Sequence, residues 1–282
     1  MEVDMTRRFA CVLLALGFAA AGTAWGQDAS PADGVVWKKV HASVFGNAPL
    51  AAADTVVTLD TPKRAEDAAI VPLAIRAQFP QTRERYIETI WLIIDNNPSP
   101  IAAVFHFTPE SGRADIETRI RIEEYTYVRA VALTNDGKLY MVANYVKASG
   151  GCSAPAGKDA VAAKANLGKM RLRVGDAVEA GRPALAQLMV SHPNDSGLAM
   201  DQVTRSYATP HFVRGVEVRY GGKLVMSADV DFSISENPNF RFYFVPQGEG
   251  ELDARVVDNQ DLEFTARLKL DSARMGAVST LR

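Results

Sequence analysis

The residue with the clearest capacity for chemistry is Cys152, in the run Ala148-Ser149-Gly150-Gly151-Cys152-Ser153-Ala154-Pro155. The only other cysteine of the 282-residue chain is Cys11, in an N-terminal apolar segment with the marks of a cleaved export signal. Once that segment is removed, Cys152 has no internal disulfide partner. It is then an intermolecular crosslink, a reactive thiol or a spare residue. The neighbours favour reactivity. Gly150 and Gly151 remove bulk on one side of the sulfur, and Ser153, Ala154 and Pro155 keep the other side small. Glycine also permits backbone conformations that other residues resist. The expectation is a thiol held out on a slim segment, able to enter a narrow cavity in a partner. The reactive species would be the thiolate. Nearby Lys147 is a candidate to favour it and Lys158 a weaker one, against the plainer reading of both as solvated surface charges.

Other reactive side chains are sparse. The histidines are His41, His106, His192 and His211, and none forms a close pair with metal-ligand spacing. His192 and His211 each neighbour a proline and read as turn residues that shape the fold or an interface. Asp258 before Asn259 reads as a turn residue, and the stripe Phe240, Phe242, Phe244 as core. There is no paired-carboxylate pattern, Ser-His-Asp order or strand–loop–helix glycine motif for a nucleotide. No catalytic residue, metal ligand or cofactor is expected. A formal net charge of −2, with acids and bases interspersed, argues against a nucleic-acid surface.

The elements that must position Cys152 read as strands. Arg7 and Arg8 precede a short apolar run, and Ala24-Trp25-Gly26 offers small residues at a cleavage position, so residues 1–26 are expected to be a signal peptide. The run is too short to span a bilayer comfortably, and the product is expected in a periplasm. Val36, Val40 and Val44 recur at helical spacing within 35–45. Strands are expected from Val57, at 70–75, 87–94, 101–107, 116–122, 127–133 and 139–145. In the fourth of these, Ile116, Thr118, Ile120 and Ile122 alternate with Glu117, Arg119 and Arg121, a pattern with one dry face. Asn135-Asp136-Gly137 marks a hairpin. Residues 153–168, rich in Ala and Lys, read as a linker. A second strand series follows at 170–174, 185–191, 212–220, 224–230, 240–244, 251–257 and 262–270, with hairpins at Gly221-Gly222 and Asp258-Asn259. Short strands at regular intervals predict an all-β chain with two immunoglobulin-like β-sandwich domains in tandem, 27–152 and 169–282, the thiol lying at their junction.

Here a family resemblance enters. The first half resembles SoxY, the sulfur-carrying subunit of bacterial thiosulfate oxidation. The resemblance lies in residues 67–75, the 90–100 run ending Asn-Pro-Ser-Pro, Thr118-Arg119-Ile120, Val128-Arg129-Ala130-Val131 and Gly150-Gly151-Cys152. The second half resembles SoxZ, through Ser191-His192-Pro193, Gly197-Leu198, Pro210-His211-Phe212, the 216–223 hairpin, Ser235-Glu236-Asn237-Pro238 and Val257-Asp258-Asn259. The whole is similar to fused SoxYZ-like carriers associated with quinoprotein dehydrogenases. This implies immunoglobulin-like sandwiches and a non-enzymatic carrier. Cys152 would hold substrate covalently on the Gly150-Gly151 segment while periplasmic enzymes act on it. Implied partners are enzymes of sulfur oxidation, or a quinoprotein (PQQ) alcohol dehydrogenase and its cytochrome, to which the chain would otherwise be a noncovalent accessory. The sequence departs from SoxY in two respects. The SoxY arm ends its chain and has glycines on both sides of the cysteine, whereas here glycines precede Cys152 only, and Ser153-Ala154-Pro155 and a whole domain follow; fixing both ends of a segment reduces its reach.

Overall fold

The computed structural model describes residues 34–154, 165–175, 178–200 and 205–271. The expected signal peptide with Cys11, most of the linker and Lys158 lie outside the described residues. The chain opens with helix α1 (Val35–Val44) and runs through β1 (Leu50–Ala52), β2 (Val57–Asp60), β3 (Val71–Ala77), β4 (Ile87–Ile94), β5 (Ile101–Phe107), β6 (Ile116–Ile120), β7 (Thr126–Thr134) and β8 (Leu139–Val146). The second half contributes β9 (Met170–Val174), β10 (Ala184–Val190), β11 (Val213–Tyr220), β12 (Lys223–Val230), β13 (Asn239–Phe244), β14 (Gly250–Asp258) and β15 (Glu263–Leu270). The fold is all-β in two sheets, as the alternating patterns predict. All three expected hairpins are present, at β7–β8, β11–β12 and β14–β15.

The two halves are joined in a way the patterns do not announce. One sheet has the order β1-β8-β7-β4-β5-β12-β11-β14-β15, the other β2-β3-β6-β13-β10-β9. Each sheet therefore runs across both halves. In the larger, β5 pairs antiparallel with β12, setting Phe105 beside Ala228 and Phe107 beside Met226. In the smaller, β6 pairs with β13, setting Ile116 beside Phe242 and Glu117 beside Arg241. Unpaired strand edges are templates for pairing, and here the two halves consume each other's. Buried side chains from both halves form one continuous core, and the Phe105 and Phe240 rings meet edge to face across the seam at 6.4 Å. Glu117 ties the seam from above, bonded to Arg76 at 3.1 Å and to Arg241 at 2.8 Å.

Helix α1 forms where the spacing predicts it, and Val40 of the expected stripe packs inward, but the stripe is not the most buried part of the helix. Trp37, not Val36, is covered, packing on Ile93 and Val131. Beneath it lies a fully buried ion pair, Arg129 Nε to Asp95 Oδ1 at 2.7 Å and Nη2 to Oδ2 at 2.5 Å, with the guanidinium 4.3 Å from the Trp37 ring. Such a pair is bidentate and desolvated, so losing either member would strand a buried charge.

Strand β6 stops at Ile120, two residues short of the expected end. Arg121 N–H donates to Ser233 C=O instead of continuing the ladder, and its side chain turns inward to 2% exposure. The alternation that places Arg121 on a wet face fails there, because the second half covers that face.

Candidate functional site

After β8 the chain enters the cysteine segment. Lys147 is anchored first, its N–H donating to Lys63 C=O at 3.0 Å and its C=O accepting from Ala65 N–H at 3.2 Å. Gly150 N–H then donates to Glu123 C=O at 2.8 Å and Gly151 N–H to Ile122 C=O at 2.9 Å. Gly150 has φ +82°, a left-handed conformation that favours glycine. Gly151 is required for space, since a Cβ there would lie 2.0 Å from Ala68 O and 2.8 Å from Ile122 N.

The Glu123 carboxylate closes the segment down. Its Oε2 accepts the N–H of Cys152 at 2.8 Å and of Ser153 at 3.0 Å, and its Oε1 accepts the Ser153 hydroxyl at 2.8 Å. From the second half, Ser196 Oγ donates to Cys152 C=O at 2.5 Å. Glu123 is itself held by Asn97 of the Asn-Pro-Ser-Pro turn. Asn97 Oδ1 accepts Glu123 N–H at 2.9 Å, while Nδ2 donates to Arg121 C=O at 2.8 Å and Ser233 Oγ at 2.9 Å.

The result corrects the expectation of an exposed thiol: Cys152 is free of any disulfide and 0% exposed. The same absence of side chains that suggests a projecting tether lets Gly150-Gly151 lie flat against the backbone of Ala68 and Ile122. Burial pushes the thiol pKa up to about 12. Glu123 and then Asp231 add to this, while Arg121 and a hydrogen bond with Ser233 oppose it. In this docked state the sulfur is a neutral thiol and a poor nucleophile. Lys147, exposed, lines an open cleft with Lys63 and Arg64, and the cation that acts on the thiol is Arg121.

Behind the 192–196 loop lies a second cluster that the sequence does not show. His192, His211 and Asp258, distant in sequence, place their ligand atoms within 4.8 Å of one another. His211 Nε2 is 2.8 Å from Asp258 Oδ2. His192 is buried, and its Nδ1 accepts Asn194 N–H at 3.0 Å. A neutral ring with a lone pair committed at Nδ1 keeps its proton on Nε2, the atom 3.5 Å from Asp258. Metal ligation needs a lone pair on that same nitrogen; here Nε2 is buried without a hydrogen-bond partner, and the hydrogen bond of the cluster is His211 to Asp258. Asp258 is not only a turn residue: its Oδ1 also accepts the N–H of Gln260 at 2.8 Å and Leu262 at 2.9 Å.

The family model for sulfur oxidation protein SoxY matches residues 41–152, its match ending on the cysteine, and that for sulphur oxidation protein SoxZ matches residues 171–269. The chain is a fused SoxY–SoxZ-like protein. Similar solved structures include the sulfur carrier protein SoxY from Chlorobium limicola f thiosulfatophilum, at 23% identity over 40% of this chain and 90% of that one, TM-score 0.32. A superoxide reductase (neelaredoxin) from Ignicoccus hospitalis matches at 17% identity over 40% of this chain and 87% of that one, TM-score 0.28. No curated protein matches.

The cysteine of the SoxY half thus lies against the SoxZ half. Arg121, Glu123 and Asn97 come from the first, Ser196 and Ser233 from the second. Sequence reasoning names Cys152, Gly150 and Gly151 and misses these five. Only Asn97 carried a signal, as part of a turn motif; Arg121 was disguised by strand alternation.

Proposed function

We propose that this protein is a periplasmic carrier that holds a sulfur substrate covalently on Cys152 and presents it to enzymes of sulfur oxidation. The observation that carries the reading is the manner of docking. The segment bearing the cysteine at the end of the SoxY match is attached by single backbone bonds, the Glu123 carboxylate, the Ser196 hydroxyl and a long contact from Arg121, not by a strand ladder. Its tip can leave without unmaking either sheet. Released into water, the thiol regains an ordinary pKa and becomes available to a partner.

Loading by oxidative coupling joins the Cys152 sulfur to a sulfur anion through a new S–S bond. The thiol proton goes to solvent and two electrons go to an acceptor supplied by a redox partner. The protein does not catalyse the step; it supplies the sulfur and holds the product. The 1–26 segment is the export signal on this reading.

Intact-mass measurement on protein taken from its own periplasm tests the proposal. A mass increment that maps to Cys152 and vanishes in Cys152→Ser is expected, with loss of sulfur-dependent function and an unchanged fold. Full function in Cys152→Ser overturns it and favours the noncovalent accessory of a quinoprotein dehydrogenase, a role that uses none of the docking residues.

A further inference from the structure

Arg121 is a buried charge beside the site. It is 2% exposed, and among the described residues no carboxylate lies within ion-pair distance of it. Its contacts are three carbonyls at the outer limit of a hydrogen bond: Nη1 to Gly151 O at 3.4 Å, Nη2 to Pro193 O at 3.4 Å and to Asn194 O at 3.3 Å. Its Nε is buried with no acceptor. A guanidinium has five N–H donors in a planar fork that fits oxyanions, and leaving such donors unmet in the interior is costly. The nearby acids are otherwise engaged. Glu123 is used on the arm, and Asp231 accepts the Ser99 hydroxyl at 3.1 Å and Phe232 N–H at 2.6 Å. Asp195, Glu236 and Asp67 act on Arg121 only as more distant charges.

Resting on the carrier reading, we infer that Arg121 is a cargo-reading residue: when Cys152 bears a group ending in an oxyanion, the guanidinium receives that charge and holds the loaded arm docked. The guanidinium already touches the carbonyl immediately before Cys152, so an acidic group one or two bonds beyond the sulfur is within its compass. Neutral cargo of the same size offers it nothing and leaves the arm less firmly held. Specificity then comes from charge, which is read at the seam and not at an open pocket.

Two synthetic adducts of matched shape isolate this. Cys152 is alkylated in denaturant with iodoacetate or with iodoacetamide. Each reaction forms an S–C bond, expels iodide and releases the thiol proton. After refolding, the adducts differ only in a carboxylate against an amide. Hydrogen exchange of the peptide covering residues 148–154 reads docking. The carboxymethyl protein is expected to be at least tenfold more protected, with the ratio near one in Arg121→Gln and partly restored in Arg121→Lys. Equal protection in the wild type, or a difference that survives Arg121→Gln, overturns the inference. Should Arg121→Gln not refold, the wild-type pair and Arg121→Lys still decide it. Failure of the carrier reading is separate: it shows as unmodified Cys152 in protein from its native source.

Discussion

Single groups at the site act through burial more than through charge. His192 illustrates this. Burial and then the neighbouring His211 hold its pKa down to about 4, against weaker upward pulls from Asp258 and Asn194. Between pH 6.5 and 4 the unfolded chain therefore takes up a proton that the folded chain refuses. Stability is full above pH 6.5 and falls as pH drops through that window, by about 3 kcal/mol if His192 is unfolded at its ordinary pKa. Urea unfolding across pH 4–7 should show the slope, and His192→Asn should reduce it by close to one proton. An unchanged slope would mean that the ring is not held neutral. Asp258 is also lowered, but by a different cause: burial raises it, and hydrogen bonds from His211, Leu262 and Gln260 carry it below the ordinary carboxylate value. Its contribution is lost only at still lower pH.

The element that matters most is the 148–154 arm, which is too short to hold itself. Its place depends on the fit of Gly151 and on Glu123. Adding a methyl at Gly151 sets a carbon against the Ala68 carbonyl, and backbone cannot move aside as a side-chain tip does. Gly151→Ala should therefore undock the arm. Glu123→Gln removes the charge from a carboxylate that takes three hydrogen bonds, and charge-assisted bonds of this kind are worth about 2 kcal/mol. Labelling of Cys152 with iodoacetamide at pH 8 is expected to be about 100-fold slower in the native protein than in the unfolded one, because the docked sulfur is buried and protonated. Both variants should accelerate native labelling by about tenfold or more while leaving circular dichroism unchanged. Rapid labelling of the wild type would show that the arm does not stay docked.

At the scale of the whole molecule, the halves are joined by two sheet seams and a shared core. Phe105, Ile116, Phe240 and Phe242 are buried beside those seams. Exposing side chains of this size costs about 2 kcal/mol each, and domain stabilities are only about 5–15 kcal/mol. One half cannot unfold and leave the other intact. Calorimetry on the mature chain should give a single transition with equal calorimetric and van't Hoff enthalpies; two resolved transitions would refute the continuous core. A shared core also explains how one loop, 192–196, reaches the cysteine of the other half: β10, which precedes that loop, is fixed to β6 through β13 in the smaller sheet.

Alternation, turn residues and the placement of glycine and proline determined the order of strands from β2 onward, the three hairpins, helix α1 and Cys152 as the thiol to examine, but not the short β1. These are local properties, written in periods of two and in residues that tolerate unusual backbone. The pairing of β5 with β12 and β6 with β13 was decided only by tertiary structure, since strand edges carry no sequence label for their partners. So was the burial of Cys152 and Arg121. Arg121 alternates like a surface residue, and Gly150-Gly151 reads equally as a free tether or a close-packed strap. Which one it is depends on a surface supplied by residues remote in sequence, Ala68, Ile122, Glu123 and Ser196, and no local pattern contains that surface.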